Sequence, residues 1–389
     1  MRVGVDATSW TNRRGYGRFA RNAVRRLVEL DGESTYVLYV DQATADDPSL
    51  PARGERHVVP LRRPASVAAS ADSSRGVLDL VRLARAGARS GVDCFLFPSV
   101  YTYFPVGSVP TIVGVHDVIA DEFAELTLPT RRARLFWRLK ERIAVRRARC
   151  LFTVSEASRA AVAARFGLAP EALVVIPEAP DPVFFPRKAD EVARALSEAG
   201  LRPGAAFFLY AGGISPHKNI ETLVDAYAVL AGRTHEAPLL VIVGDLDRDP
   251  YLSAADSVLG RIAKLGLEQR VRLPGFVSDD VLAALHTGAT AVVLPSLAEG
   301  FGLPAVEAAA CGAPVIVSDI PAHRETLDGA ALFFPAQNAP ALASELEAIA
   351  GQAELRADLS ERARRAVSGL SWDATAERLR DVIAEVNGR

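Results

Sequence analysis

Two carboxylates eight residues apart, Glu299 and Glu307, bracket a turn and a helix start in Pro295-Ser296-Leu297-Ala298-Glu299-Gly300-Phe301-Gly302-Leu303-Pro304-Ala305-Val306-Glu307. A strand-like apolar run ends at Leu294, Gly300 and Gly302 open the backbone, and Pro304 falls in a first helical turn, where its missing N–H does no harm. The amides of Gly300, Phe301, Gly302 and Leu303 can then face a diphosphate or a sugar, and the helix N-terminus favours negative charge. Carboxylates accept paired hydrogen bonds, so Glu299 suits sugar hydroxyls and Glu307 the vicinal hydroxyls of a ribose at the other end of the same ligand. The bland alternative makes both glutamates helix-end or solvated charges. The alanines and valine around Glu307 form a face too apolar for a free carboxylate.

A second constellation, Tyr210-Ala211-Gly212-Gly213-Ile214-Ser215-Pro216-His217-Lys218-Asn219, follows another strand-like run. Its glycines lie where a phosphate-binding turn between strand and helix needs them, and Lys218, at the expected helix start, can reach a pyrophosphate. The motif is neither G-x-G-x-x-G nor a P-loop, which counts against hydride transfer and ATP hydrolysis. Only four lysines stand among the 45 basic side chains, so a lysine in a glycine-rich turn is more informative than an arginine would be. Asp245-Leu246-Asp247 has a metal-binding D-x-D spacing but reads as a turn after a strand, and no His, Cys or Asp cluster converges on a metal site.

The elements that must position these residues repeat twice. Apolar runs at Val3–Asp6, Tyr36–Val40, Asp93–Phe97, Thr111–Val115 and 150–154 alternate with amphipathic segments, the signature of a parallel sheet wrapped by helices. After the proline-dense stretch 177–182 the pattern restarts, with strands at 207–212, Leu239–Val243, 271–273, Ala291–Leu294 and 314–317 and helices at 219–230, 251–265, 279–286 and 303–311. The reading is an α/β chain of two Rossmann-like domains, 1–182 and 188–370, joined near 178–188. A last helix, 371–389, capped by Ser371 and anchored by Trp372, returns to the first domain. In such sheets ligands bind beyond the carboxyl ends of the strands.

Bulk properties agree. At 389 residues, 49% hydrophobic and 24% charged, the chain can bury two cores, and a net charge of −2 offers no field to attract nucleic acid. Three scattered cysteines form no disulfide framework, no apolar leader opens the chain and no run is long enough to span a bilayer, which fits a cytoplasmic protein. The segment 131–149, with nine cations and one anion, is a basic amphipathic helix. It reads as a scaffold helix with solvated arginines, or else as a peripheral contact with the inner membrane face.

Together the glutamate pair and the G-G-x-S-P-H-K-N turn resemble glycosyltransferase family 4 of the GT-B fold, particularly its bacterial mannosyltransferase-like branch. Further matches are Arg14-Gly15-Tyr16-Gly17-Arg18, His116-Asp117, Thr153-Val154-Ser155-Glu156, Val175-Ile176-Pro177 and Gly275-Phe276-Val277, so the likeness covers nearly the whole chain. The resemblance implies two domains facing across a cleft. It also implies a retaining, metal-independent hexosyl transfer from a nucleotide sugar, first GDP-mannose, to a glycan, lipid-linked or small-molecule acceptor, with no cofactor. By that likeness Glu299 holds the donor sugar, Glu307 the ribose, Lys218 the diphosphate and backbone near Val277 the base. Gly15 and Gly17 lie near phosphate and acceptor, and His116 near the reacting sugar. Gly213 stands where many members carry arginine, and His217 or Arg18 could supply that charge. His116 could instead be a buried strand-end histidine held by Asp117.

The segment Thr8–Phe19 contains no His, Asp or Glu to deprotonate an acceptor, which points to reaction on one face with the leaving phosphate as base. A GT-B epimerase and a nonenzymatic nucleotide-sugar-binding subunit are the competing readings.

Overall fold

The computed structural model describes residues 1–12, 15–62, 76–128, 130–245 and 253–388. Arg14, Leu246 and Asp247, and the first residues of the helix expected at 251–265, lie outside them. The chain divides into two compact units, Met1–Glu178 with Ser371–Arg389, and Ala179–Leu370.

In the first unit the described residues form a seven-stranded sheet in the order β3-β2-β1-β4-β5-β6-β7. Its strands are β1 (Arg2–Asp6), β2 (Thr35–Val40), β3 (Glu55–Val58), β4 (Cys94–Phe97), β5 (Thr111–Gly114), β6 (Ala148–Thr153) and β7 (Leu173–Val175). Every pairing is parallel. The central strands are buried along their length, which is why they read as unbroken apolar runs. β3 is the edge strand and wholly exposed, and its sequence Glu-Arg-His-Val lacks any apolar signal. Phe95, Phe97, Phe104 and Tyr39 are sealed in the core, where each large side chain contributes about 1.5–3 kcal/mol of burial. The terminal helix Trp372–Gly388 belongs to this unit. Ser371 Oγ accepts from the Ala374 amide at 3.2 Å, Trp372 meets Phe19 edge-on at 6.0 Å, and Thr375 Oγ1 donates to the Pro177 carbonyl at 2.7 Å.

The second unit has a six-stranded parallel sheet in the order β10-β9-β8-β11-β12-β13. The strands are β8 (Phe207–Ala211), β9 (Leu239–Val243), β10 (Val271–Gly275), β11 (Ala291–Leu294), β12 (Val315–Ser318) and β13 (Leu332–Phe334). The segment just after the proline-dense stretch packs on this unit: Phe184 is buried against Ala283 and Cys311, and the Arg187 amide donates to Thr287 Oγ1 at 3.1 Å. In each sheet the strand order reverses beside the first strand, between β1 and β4 and between β8 and β11. The loops leaving those carboxyl ends are the expected ligand-binding positions.

Candidate active site

In the second unit both flagged motifs sit at the point where strand order reverses. β8 runs into 212–219 and β11 into 295–302. Backbone and side chain tie these loops together: the Leu297 amide donates to the His217 carbonyl at 2.8 Å, and Asn219 Nδ2 to the Pro295 carbonyl at 3.0 Å. Asn219 is in the left-handed region, φ 56°, between a 3₁₀ turn, Pro216–Lys218, and helix Ile220–Arg233. Lys218 therefore lies on that turn and not, as the sequence suggested, at the start of the α-helix.

Lys218 Nζ lies 2.7 and 2.8 Å from the two carboxylate oxygens of Glu299. Ser296 Oγ donates to Oε1 of the same carboxylate at 2.6 Å. Burial pushes the Glu299 carboxyl up, but Lys218, then His323 and the Ser296 bond, outweigh it and hold the group down to about 2. A lysine ammonium has three N–H donors, so the side chain can serve Glu299 and still offer a proton and charge to an anion.

Gly302 adopts φ +85° at the N-cap of helix Leu303–Ala310. An added Cβ there would lie 3.1 Å from His323 Cδ2, so backbone angle and packing both call for glycine. Phe301 and Leu303 turn their side chains into the core, so any ligand contact from them comes through backbone amides. The first-turn amides of a helix lack intrahelical acceptors and, with Lys218, make this end of the sheet suited to phosphate oxygens. Glu307 is 5% exposed on the same helix.

Three participants carried no signal at the sequence level. Ser296 holds Glu299. Ser318, at the end of β12, donates from Oγ to the Ser296 carbonyl at 2.5 Å. His323 donates from Nδ1 to the Ser318 carbonyl at 2.9 Å beneath Gly302, and burial holds its ring below the usual imidazole range. Its place follows from β12 and the next helix, Pro321–Leu327, converging on the glycine turn, which spacing alone cannot show.

Of the other flagged residues of this unit, Gly213 and His217 lie on the loop 212–219 and Gly300 on the loop 295–302. Gly213 is exposed, and its carbonyl receives the Tyr210 hydroxyl at 2.7 Å. His217 is half-buried on the 3₁₀ turn. Gly300 is half-buried in the turn, and Val277 follows β10 beside Phe276, which is 54% exposed.

In the first unit Gly15 begins helix Gly15–Leu30, with open space where a Cβ would go. At Gly17 a Cβ would lie 2.2 Å from the Asn12 carbonyl oxygen, so this glycine is required for a close backbone approach. His116 follows β5 and is 6% exposed. Its Nε2 donates to the Pro98 carbonyl at 2.7 Å, its ring meets Phe19 edge-on at 4.7 Å, and Nδ1 lies 3.7 Å from Glu178 Oε1. Burial, only partly offset by the Pro98 bond, lowers its ring to about 4. The histidine is thus held by Pro98, whereas the Asp117 carboxylate accepts from the Ile119 amide at 2.9 Å.

Comparison with known proteins gives the same picture. Residues 13–183 match the family described as Glycosyltransferase Family 4, and residues 194–366 match Glycosyl transferases group 1. The chain is 30% identical over 282 residues to a D-inositol 3-phosphate glycosyltransferase of Jonesia denitrificans, covering 69% of this chain and 64% of that protein. It is 30% identical over 200 residues to O-antigen chain mannosyltransferase B of Escherichia coli, covering 51% of each. The matches thus span roughly half to two thirds of these relatives' lengths. Among solved structures, sucrose-phosphate synthase from Thermosynechococcus elongatus superposes with a TM-score of 0.77 at 20% identity over 99% of both chains. Anabaena HepE, in complex with UDP and glucose, superposes with a TM-score of 0.77 at 17% identity over 98% of this chain and 99% of that one. Two parallel Rossmann-like sheets, two family matches that tile the chain and the glutamate pair at the end of β11 place this protein in glycosyltransferase family 4, with the GT-B fold.

Proposed function

We propose that this chain transfers a hexosyl group from a nucleoside-diphosphate sugar to a hydroxyl of a glycan, lipid-linked or small-molecule acceptor, with retention of anomeric configuration and without a divalent metal. The observation that carries the reading is the Lys218–Glu299 pair, which joins the two flagged loops at the carboxyl ends of β8 and β11. In this reading the second unit holds the donor and the first receives the acceptor. Glu299 orients sugar hydroxyls, Glu307 the ribose, and Lys218 with the helix-303 amides the diphosphate. The acceptor oxygen bonds to the anomeric carbon as the bond to the β-phosphate oxygen breaks. Both electrons of that bond leave with the diphosphate, whose oxygen takes the acceptor proton. The fixed ammonium and amides oppose the charge that grows on the leaving group, the task a metal would otherwise perform. GDP-mannose is the donor of first choice, since O-antigen chain mannosyltransferase B is among the relatives.

Thermal-shift titration with GDP, UDP and dTDP tests the donor, because a ligand that binds only the folded state raises its stability by mass action. Selective stabilisation by GDP supports the mannosyl reading, and selectivity for UDP replaces it. Turnover should persist in excess EDTA, and the product's anomeric proton signal should retain the donor's configuration. Loss of activity restored by Mg²⁺, or an inverted product, would overturn the corresponding half of the mechanism.

Glu307→Ala should leave the fold intact and weaken nucleotide binding by about 1.5–3 kcal/mol, the usual worth of hydrogen bonds to a charged group. Calorimetry showing unchanged affinity would remove Glu307 from the ribose position.

A further inference from the structure

The loops 212–219 and 295–302, which leave the carboxyl ends of β8 and β11, hold one lysine, no arginine and one acid between them: Lys218 and Glu299. These two are paired with each other. Nζ lies 2.7 and 2.8 Å from the two carboxylate oxygens, and the side chains are only 16% and 9% exposed. Two of the three ammonium N–H bonds are thereby taken, and the charges of the pair sum to zero.

Both partners are fixed. The Lys218 amide donates to the Ser215 carbonyl at 2.9 Å, the Leu297 amide bonds across the loops to the His217 carbonyl, and Ser296 Oγ holds the Glu299 carboxylate. His323, buried beside them, brings the carboxylate no donor. Its Nδ1 proton goes to the Ser318 carbonyl, and its Nε2 has no partner among the described residues. Burial pushes Glu299 towards its neutral form, and Lys218 is the largest influence against it. A carboxylate so placed loses much if its ammonium is drawn away and nothing replaces it.

A phosphate arriving at Lys218 finds the third N–H, but the adjacent carboxylate partly cancels the field of the cation. Any further donor it draws from Lys218 is drawn from Glu299. A bare nucleoside diphosphate leaves that loss unrepaired. A nucleoside-diphosphate sugar repairs it, because its hydroxyls donate to the carboxylate oxygens. With phosphate at Lys218 and sugar at Glu299, the reading on which this rests, we infer that the ion pair makes the site discriminate between donor and spent nucleotide. It lowers affinity for the nucleoside diphosphate and spares affinity for the nucleotide sugar. Once the hexosyl group has left with the acceptor, Glu299 has lost its hydroxyl partners and takes the ammonium back, which favours release of the diphosphate.

Calorimetric titration of the full chain tests this, using GDP with GDP-mannose, UDP with UDP-glucose and dTDP with dTDP-glucose. Glu299→Gln keeps the shape of the side chain and removes its charge, so it should bind the diphosphate about tenfold tighter than the parent. It should bind the nucleotide sugar no tighter, because weaker acceptance of the sugar hydroxyls offsets that gain. Lys218→Met should bind the diphosphate about tenfold more weakly. Lys218→Met/Glu299→Gln, again neutral, should recover most of that loss, whereas mere damage to the loops would make the double variant weaker still. An unchanged thermal midpoint without nucleotide shows that each variant is folded, and Glu299→Gln alone decides the matter. If it binds the diphosphate no tighter than the parent, or binds both ligands tighter by the same factor, the discrimination is overturned. Weaker diphosphate binding by Lys218→Met would then leave the proposed function standing. Unchanged diphosphate affinity in Lys218→Met, or binding of none of these nucleotides by the parent, would overturn both.

Discussion

Lys218→Met should lower kcat by about 10² or more while changing affinity for the free nucleoside little, by analogy with the loss of one preorganised donor to a developing charge. Nucleoside contacts in the proposed site come from Glu307 and the backbone near Val277, whereas Lys218 stands at the junction of the two loops. Its ammonium does two things at once: it neutralises Glu299 and stands where a leaving phosphate would need a cation. Without it, burial of the Glu299 carboxyl is opposed only by His323 and the Ser296 hydrogen bond, so the carboxyl rises from about 2. In the parent enzyme Glu299 is then ionised at any working pH. In the variant its ionised fraction falls as pH falls, and residual activity should show an acid limb that the parent lacks. Steady-state kinetics of both proteins across acid to neutral pH measure this. A Lys218→Met enzyme with parental kcat would return the lysine to ordinary surface duty, and a lowered kcat with no acid limb would separate its action on phosphate from its hold on Glu299.

The fold was legible in the sequence wherever burial made a strand uniformly apolar, as at β1, β2, β4, β5 and β8. It was illegible where a strand is short or at an edge. β3 is exposed throughout, and β7 and β13 are three residues long, so none leaves a hydrophobic run to read. At the site, residues contiguous in sequence were found because glycine, proline and glutamate in one turn carry their own chemical logic. Ser318 and His323 escaped because their contribution depends on β12 lying beside β11, a neighbour relation set by sheet order. Likewise the Lys218–Glu299 pair spans 81 positions, and the sequence offered two separate ligand contacts where the structure shows one coupled unit. Gly17 was flagged as a possible phosphate or acceptor neighbour; what the structure shows is a residue needed for the Asn12 backbone to pass close by.

The first unit should lose stability on mild acidification through His116, by up to about 3 kcal/mol between pH 6.5 and pH 4. The ring is buried and lowered from 6.5 to about 4, so the unfolded chain binds the proton first as pH falls. A group lowered in the folded state contributes stability that is fully present above its unfolded value, here 6.5. That stability drains away as pH falls towards the folded value, near 4. Depressed carboxylates such as Asp31 and Asp121 also lose stability in acid, but from their ordinary value near 3.8 downward, so their loss begins where that of His116 is ending. His323, also lowered by burial, acts with the same sign in the second unit, so a single thermal curve mixes the two. His116→Gln separates them: its amide nitrogen reaches about as far as the imidazole Nε2, so it can still donate to the Pro98 carbonyl, but it cannot titrate. The parent's unfolding free energy, by denaturant titration at several pH values, should fall relative to the variant's as pH goes from 7 to 4, and the two should run parallel above 7. If the difference is flat across that window, Glu178, 3.7 Å from Nδ1, compensates the imidazolium in place. His116 would then be able to carry a proton within the folded unit, and the case for it as an acid–base participant would reopen.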